Sequence, residues 1–148
     1  MPLTILFVLA LLAQSPLPPH PAPNTTTFHD AKLLVQQGDK RKDIDSVLLF
    51  QSDALVVQPK DKEAQPLRTL AYSDVKGAEY SFGKSPRVSA ALLVSPFFLF
   101  SASKSHWLTV KTSDDFALLR LDKSNYKLVI GELEKRAKIT VASVGENK

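Results

Sequence analysis

Residues that could do chemistry are plentiful in this chain, but their spacing does not form a nucleotide site or a serine nucleophile motif. Gly83-Lys84-Ser85 resembles the end of a phosphate-binding loop. The first glycine of that loop would have to be residue 78, which is Ala78. No Gly-x-Ser-x-Gly elbow is present, and a catalytic triad cannot be assembled from sequence order alone. The sequence therefore predicts neither a catalytic residue nor a nucleotide cofactor.

The candidate metal ligands also lack the spacing of known metal-binding motifs. Asp39, Asp43 and Asp45 lack the spacing, the glycine and the terminal glutamate of a calcium loop. The chain has no cysteine, and its three histidines show no ligand spacing. These histidines are His20, His29 and His106. We therefore expect no metal site, and we interpret the histidines as structural or solvated.

One short basic stretch could bind an anion. Lys40, Arg41 and Lys42 follow the first predicted strand, and Asp39 and Asp43 flank them. The two carboxylates weaken the positive field, so a solvated turn is one interpretation and contact with a phosphate or headgroup is the other.

The most unusual stretch is the apolar run Val88–Phe100, VSAALLVSPFFLF. No charged residue occurs between Arg87 and Lys104. As strands the run would be apolar on both faces, and as a helix it is interrupted by Pro96. The interpretations are packing beneath the terminal helix or against the tether, contact with a membrane or another protein, or a membrane span, for which the run is short.

The contact hypothesis names specific residues in this run. Arg87 and Lys104 would suit an anionic headgroup layer at its borders. The candidate contact residues are Leu92, Leu93, Val94, Phe97, Phe98, Leu99 and Phe100.

The amino-terminal stretch predicts export. Leu3–Ala13 is an unbroken apolar run, too short to cross a bilayer and typical of a secretory signal. Cleavage could follow Ala13 or Ala22, and an uncleaved short anchor or a buried strand are the alternatives. Residues 14–30 are rich in proline and predict an extended tether.

The rest of the chain predicts a mainly β domain over residues 31–142, closed by one helix. Asp122 is the predicted N-cap of a helix over 122–138, whose apolar stripe should be buried while Leu128 points away. Trp107 is interpreted as core, with an interfacial anchor as the alternative. Residues 143–148 are predicted to be disordered.

The apolar stripe of the predicted helix comprises Tyr126, Ile130, Leu133 and Ala137, with Val129 on its flank. The predicted strands are 31–36, 46–51, 54–58, 67–72, 77–82, 107–111 and 116–121. Short polar turns predict that 46–51 pairs with 54–58, that 67–72 pairs with 77–82, and that 107–111 pairs with 116–121.

Short strands at near-even spacing, followed by one helix, indicate an antiparallel curled sheet or a partly open barrel. Three stretches, SVLLFQSDALVV, LRTLAYSDVKGAEYSF and LRLDKSNYKLVIGELEKR, resemble units of bacterial PH-like and GRAM-like domains of the pleckstrin-homology superfold. The resemblance implies a seven-stranded meander plugged by a C-terminal helix. It also implies a domain that binds lipids, phosphopeptides or proteins, and is rarely an enzyme.

Composition fits such a module. The chain has 148 residues, of which 44% are hydrophobic and 23% are charged, with a net charge of +4. The charges are mixed in sign, so no nucleic-acid partner is expected. We predict an exported, non-enzymatic, PH-like binding module that contacts a membrane surface or a protein partner at the cell envelope. A homo-oligomer that shares the apolar run between chains is the alternative, and a small hydrolase is a third hypothesis.

Overall fold

The computed structural model describes residues 24–37, 40–61, 64–84 and 103–144. Its strands and helices follow in chain order. They are β1 (Thr26–Gln37), β2 (Lys40–Phe50), β3 (Ala54–Pro59), β4 (Arg68–Ala71), a 3₁₀ turn (Tyr72–Asp74), β5 (Val75–Gly83), β6 (Ser105–Thr112), β7 (Phe116–Leu121), α1 (Tyr126–Ala137) and β8 (Val141–Ser143). The described helix is too short to cross a membrane.

The described strands form one sheet in the order β4-β3-β2-β1-β7-β6-β5-β8. Every neighbouring pair is antiparallel except β5 and β8, which run parallel. The sheet begins at β4 and ends at β8, so it is not closed. The prediction of a mainly β domain with one C-terminal helix is confirmed, and β8 is a strand that the sequence did not predict.

The main core lies between the sheet and α1. Strands near both ends of the sheet order contribute to the same buried cluster, so the sheet bends around it. Val129 and Leu133 of α1 are fully buried there, and Tyr126, Ile130 and Ala137 pack against it. Leu128 is 65% exposed, which confirms the predicted orientation of the helix.

Trp107 occupies a second, smaller cluster together with Leu34 and Leu118. Its ring is fully buried, and its indole N–H donates to the carbonyl oxygen of Gly83 over 2.9 Å. A buried indole needs such an acceptor because an unpaired N–H in the core is costly. The prediction that Trp107 is a core residue is confirmed.

The first two strands are longer than predicted. β1 begins at Thr26 instead of Ala31, because Thr26, Thr27 and Phe28 pair with the end of β2 before a bulge. Asp30, within that irregularity, has a φ of 65°. Residues 26–30 of the predicted tether therefore lie in the sheet. Lys40–Lys42 lies in β2, so the interpretation of this triplet as a turn is wrong.

The predicted pairing of the fourth and fifth strands is also wrong. β4 pairs with β3, whereas β5 pairs with β6 and β8. The 3₁₀ turn between them is anchored by Tyr72, whose buried hydroxyl donates to the carbonyl oxygen of Gln51 over 2.7 Å. This anchored turn leads the chain from one end of the sheet towards the other.

The helix begins later than predicted. Asp122 is not the N-cap, because Asn125 holds that position and α1 starts at Tyr126. The Asp122 carboxylate instead accepts from the backbone N–H of Ser124 over 2.7 Å and from its hydroxyl. Asp122 therefore stabilises the turn that precedes the helix. The Asn125 side-chain amide donates to the carbonyl oxygen of His29 in β1 and ties this turn to the sheet.

Candidate functional site

A cleft of about 730 Å³ lies where the end of β5, the start of β6, the end of β7 and the start of α1 meet. Its lining combines aromatic rings with positively charged side chains. The lining residues are Phe82, Lys104, Ser105, His106, Arg120, Leu121, Asp122, Lys123, Ser124, Tyr126 and Lys127.

The aromatic wall of the cleft is built by strand alternation. His106 and Trp107 are neighbours in β6, so one ring faces the cleft while the other enters the core. Tyr80 and Phe82 share a face of β5, and Phe82 pairs with His106 across the two strands. The register of the β5–β6 pair therefore brings the rings of Tyr80, Phe82 and His106 together, and Phe82 and His106 line the cleft.

His106 links this wall to the helix. Its ring stacks on Tyr126, with centroids 3.8 Å apart and planes 11° apart, and Phe82 lies tilted at 4.6 Å. Its Nδ1 lies 2.8 Å from the Tyr80 hydroxyl. These contacts hold the first residue of α1 against the sheet, and Phe82 remains 41% exposed.

The charge of the cleft is positive. Lys104, Arg120, Lys123 and Lys127 line it, against the single carboxylate of Asp122. Arg120 is paired with Asp43, with 3.3 Å between the guanidinium nitrogen and the carboxylate oxygen. None of the ion pairs recorded among the described residues joins the three lysines to a carboxylate.

Burial and hydrogen bonding set the protonation states of two groups in the cleft. Burial lowers the pKa of His106; the charge of Asp122 opposes this shift and that of Lys123 adds to it. Hydrogen bonds from the side chain and backbone of Ser124 lower the pKa of Asp122. At neutral pH the imidazole is therefore uncharged and Asp122 is ionised.

The cleft holds the residue types of a nucleophilic triad, but they are not connected as one. The Ser124 hydroxyl donates to Asp122, and the His106 Nδ1 is engaged by Tyr80. Activation of a serine requires a hydrogen bond from its hydroxyl to the imidazole. The positive charge of the cleft suits an anion, and its aromatic rings suit an apolar group. No group of metal ligands occurs among the described residues.

Of the predicted contact residues, the structure places Lys104 in the cleft. Lys42 is exposed on β2, a strand that does not line the cleft. The side chains of Lys40 and Arg41 lie outside the described residues, as do Arg87 and the apolar run 88–100. The prediction for Leu92, Leu93, Val94, Phe97, Phe98, Leu99 and Phe100 therefore stays a prediction.

The two ends of the segment that contains this run are nevertheless fixed. Gly83 and Ser105 are partners in the β5–β6 pair. The chain therefore leaves β5 at Lys84 and returns through Ser103 and Lys104, next to the cleft.

Several cleft residues were missed by sequence reasoning. His106 was set aside because it lacks a metal-ligand spacing, and Tyr126 was assigned only to the buried stripe. The sequence did contain one indication of the cleft. Lys123 and Lys127 are cations near the amino-terminal end of the helix, where positive charge opposes the helix dipole. Such a departure from local preference is expected where a charge serves binding instead of stability.

Comparison with known proteins places the chain by its fold. No protein-family model and no curated protein match it. Among solved structures, it is similar to a chain in "Structure of the Spt16D Pob3N heterodimer", with a TM-score of 0.52 and 13% identity. This likeness covers 84% of the present chain and 56% of the other, so the chain spans little more than half the length of that neighbour.

A second similar structure is the hSac2 domain from human phosphoinositide phosphatase Sac2, with a TM-score of 0.49 and 14% identity. It covers 84% of the present chain and 80% of that one. The bacterial and GRAM-like details of the resemblance gain no support from these comparisons. The observed topology, together with the likeness to the Spt16D Pob3N structure, gives the chain a PH-like fold.

Proposed function

We propose that this chain is a non-enzymatic binding module that attaches to an anionic membrane surface at the cell envelope. Two features support the proposal. The PH-like fold supplies a rigid sheet with one helix, and its cleft is positively charged and partly aromatic. Export, as expected from Leu3–Ala13, would bring the module to that surface.

The observation that carries the proposal is where the apolar run is attached. The segment that contains Val88–Phe100 follows Phe82 and Gly83 of β5 and ends before Lys104, and both Phe82 and Lys104 line the cleft. A charge-free apolar stretch inserted at the headgroup boundary gains energy from the buried area, and each nearby lysine adds about 1 kcal/mol on an anionic surface. An apolar stretch joined to the chain next to a cationic cleft is the combination that such a surface requires.

Vesicle co-sedimentation of residues 24–148 tests the proposal. This fragment contains all the described strands and the helix. It should sediment with phosphatidylcholine vesicles that contain phosphatidylserine, and less with phosphatidylcholine alone. Phe97→Asp combined with Phe98→Asp should abolish the binding, whereas Lys76→Glu, an exposed change at the far end of β5, should have little effect. Absence of binding to the anionic vesicles at low salt would contradict the proposal.

A protein partner is the second candidate. The neighbour in the structural comparison is part of a heterodimer, so domains of this fold can serve protein association. In this chain the apolar run from two copies could form a shared core. Light scattering at high concentration separates the cases, since a strict monomer excludes self-association through that run.

A further inference from the structure

We infer that occupancy of the cleft by an anion is linked to protonation of His106, so that acidification tightens binding. The inference rests on the proposed function for the identity of the anionic partner. The link itself rests on the position of the imidazole in the cleft wall.

The imidazole is held in one orientation. Its Nδ1 is engaged by the Tyr80 hydroxyl, while Tyr126 stacks against the ring at 3.8 Å. The ring lines the cleft beside Lys104 and Lys123. An anion that contacts these ammonium groups would therefore be a near neighbour of the imidazole.

Charged and titratable groups face His106 from each surrounding element. β5 contributes the Tyr80 hydroxyl, and the residue before β6 is Lys104. The end of β7 contributes Arg120, which Asp43 pairs, and the turn after it contributes Asp122 and Lys123. The first turn of α1 contributes Lys127. Burial of the ring and the charge of Lys123 disfavour the imidazolium, and the charge of Asp122 opposes them.

A bound anion adds a second negative charge, besides Asp122, to this environment. A negative charge among the lysines offsets their repulsion and favours the imidazolium. Because the coupling between two sites is reciprocal, the protonated cleft must bind the anion more tightly than the neutral one by the same factor. Acid should therefore strengthen binding through one side chain, with no change of fold.

Sulfate is a suitable first probe because it remains a dianion throughout the titration of histidine. The imidazole resonances of the full chain would be titrated by NMR in sodium sulfate and in sodium chloride of equal ionic strength. The pKa of His106 should be higher in sulfate than in chloride, because only the dianion would occupy the cleft among the lysines. Equal His106 titrations in the two salts would overturn the inference.

Vesicles provide the second measurement. Binding of the full chain to phosphatidylserine-containing vesicles should strengthen by about five- to tenfold between about pH 8 and about pH 5. Phosphatidylserine keeps its negative charge over this interval, because its carboxyl group titrates lower. His106→Gln should remove the pH dependence, and His29→Gln should retain it.

The outcomes separate this inference from the proposed function. Binding that is equally strong at both pH values contradicts the link to His106 and leaves membrane attachment intact. Absence of vesicle binding at both pH values contradicts membrane attachment, and the sulfate titration still decides the link. Because His106 packs against the helix, the unmodified chain in the sulfate experiment provides an answer even if His106→Gln fails to fold.

Discussion

The two ends of α1 differ in the surroundings of their cationic side chains. At the carboxyl-terminal end, the Arg136 guanidinium donates to Glu132, to the carbonyl oxygens of Gln51 and Asn24, and to the Thr26 hydroxyl. At the amino-terminal end, about 18 Å away for a 12-residue helix, lysines line an open cleft. One end pairs its charge within the fold, whereas the other presents its charge to a cavity.

This difference separates residues that hold the fold from residues that can bind a ligand. Arg136 lies close to the helix dipole's negative end, where a cation is stabilising, and its side chain is only 17% exposed. Lys123 and Lys127 lie near the positive end, where a cation is unfavourable. We therefore expect substitutions at the first end to change the free energy of unfolding, and substitutions at the second to change binding.

The largest expected effect is at the middle of the helix. Leu133→Ala removes a fully buried side chain and leaves a cavity, which should lower the free energy of unfolding by about 2–5 kcal/mol. Leu128→Ala is the matched control on the exposed face and should change it by less than about 0.5 kcal/mol. Chemical denaturation followed by Trp107 fluorescence measures both. Similar losses in the two variants would show that the helix is not held by its apolar stripe.

The next effect concerns the paired end. Arg136→Met keeps the aliphatic length but removes the donors for Gln51, Asn24 and Thr26, and should lower the free energy of unfolding by about 1–3 kcal/mol. Lys135→Met, at the neighbouring exposed position, should leave it nearly unchanged. Denaturation curves for the two variants test whether the network contributes to stability. If Arg136→Met left the free energy of unfolding unchanged, Arg136 would not stabilise the fold, and the expected difference between the two helix ends would be wrong.

At the cleft end, the double substitution Lys123→Glu with Lys127→Glu should weaken binding to anionic vesicles by more than about tenfold, since each lysine contributes about 1 kcal/mol. The free energy of unfolding should rise by up to about 1 kcal/mol, because these side chains are exposed and carboxylates near the amino-terminal end of the helix favour its dipole. Lys76→Glu provides a single exposed charge reversal outside the cleft. If the double variant lost much stability but bound vesicles as before, the two lysines would stabilise the fold and would not contribute to binding.

The smallest effect is the pH dependence of stability. Burial lowers the pKa of His106 in the folded chain, so the unfolded chain binds more protons as the pH falls through the usual histidine value of about 6.5. The contribution of His106 to stability is therefore present above that pH and is lost on acidification. Denaturation at several pH values should show a smaller acid-induced loss for His106→Gln than for the unmodified chain. A larger loss in the variant would show that the sign of the shift is opposite.

Much of the fold could be predicted because its signals are local. The β2–β3 and β6–β7 hairpins follow from β-rich runs separated by short polar turns, and the buried stripe of α1 follows from helical spacing. The errors occurred where pairing is not local. The predicted pairing of β4 with β5 is wrong because the turn between them is held by a long-range hydrogen bond from Tyr72 to Gln51. The early start of β1 was missed because it depends on pairing with the end of β2.

Composition and hydrophobic periodicity by themselves determined that this chain forms a mainly β domain with one C-terminal helix, because alternation and helical spacing reflect which side chains must leave water. They also singled out the apolar run between Arg87 and Lys104 as a contact hypothesis. The cleft was decided only by tertiary structure. Phe82, His106 and Tyr126 are distant or unremarkable in sequence, and only strand register and the docking of α1 bring their rings together beside three lysines. A site assembled from separate elements has no local pattern, since its geometry exists only after the core that positions those elements has formed.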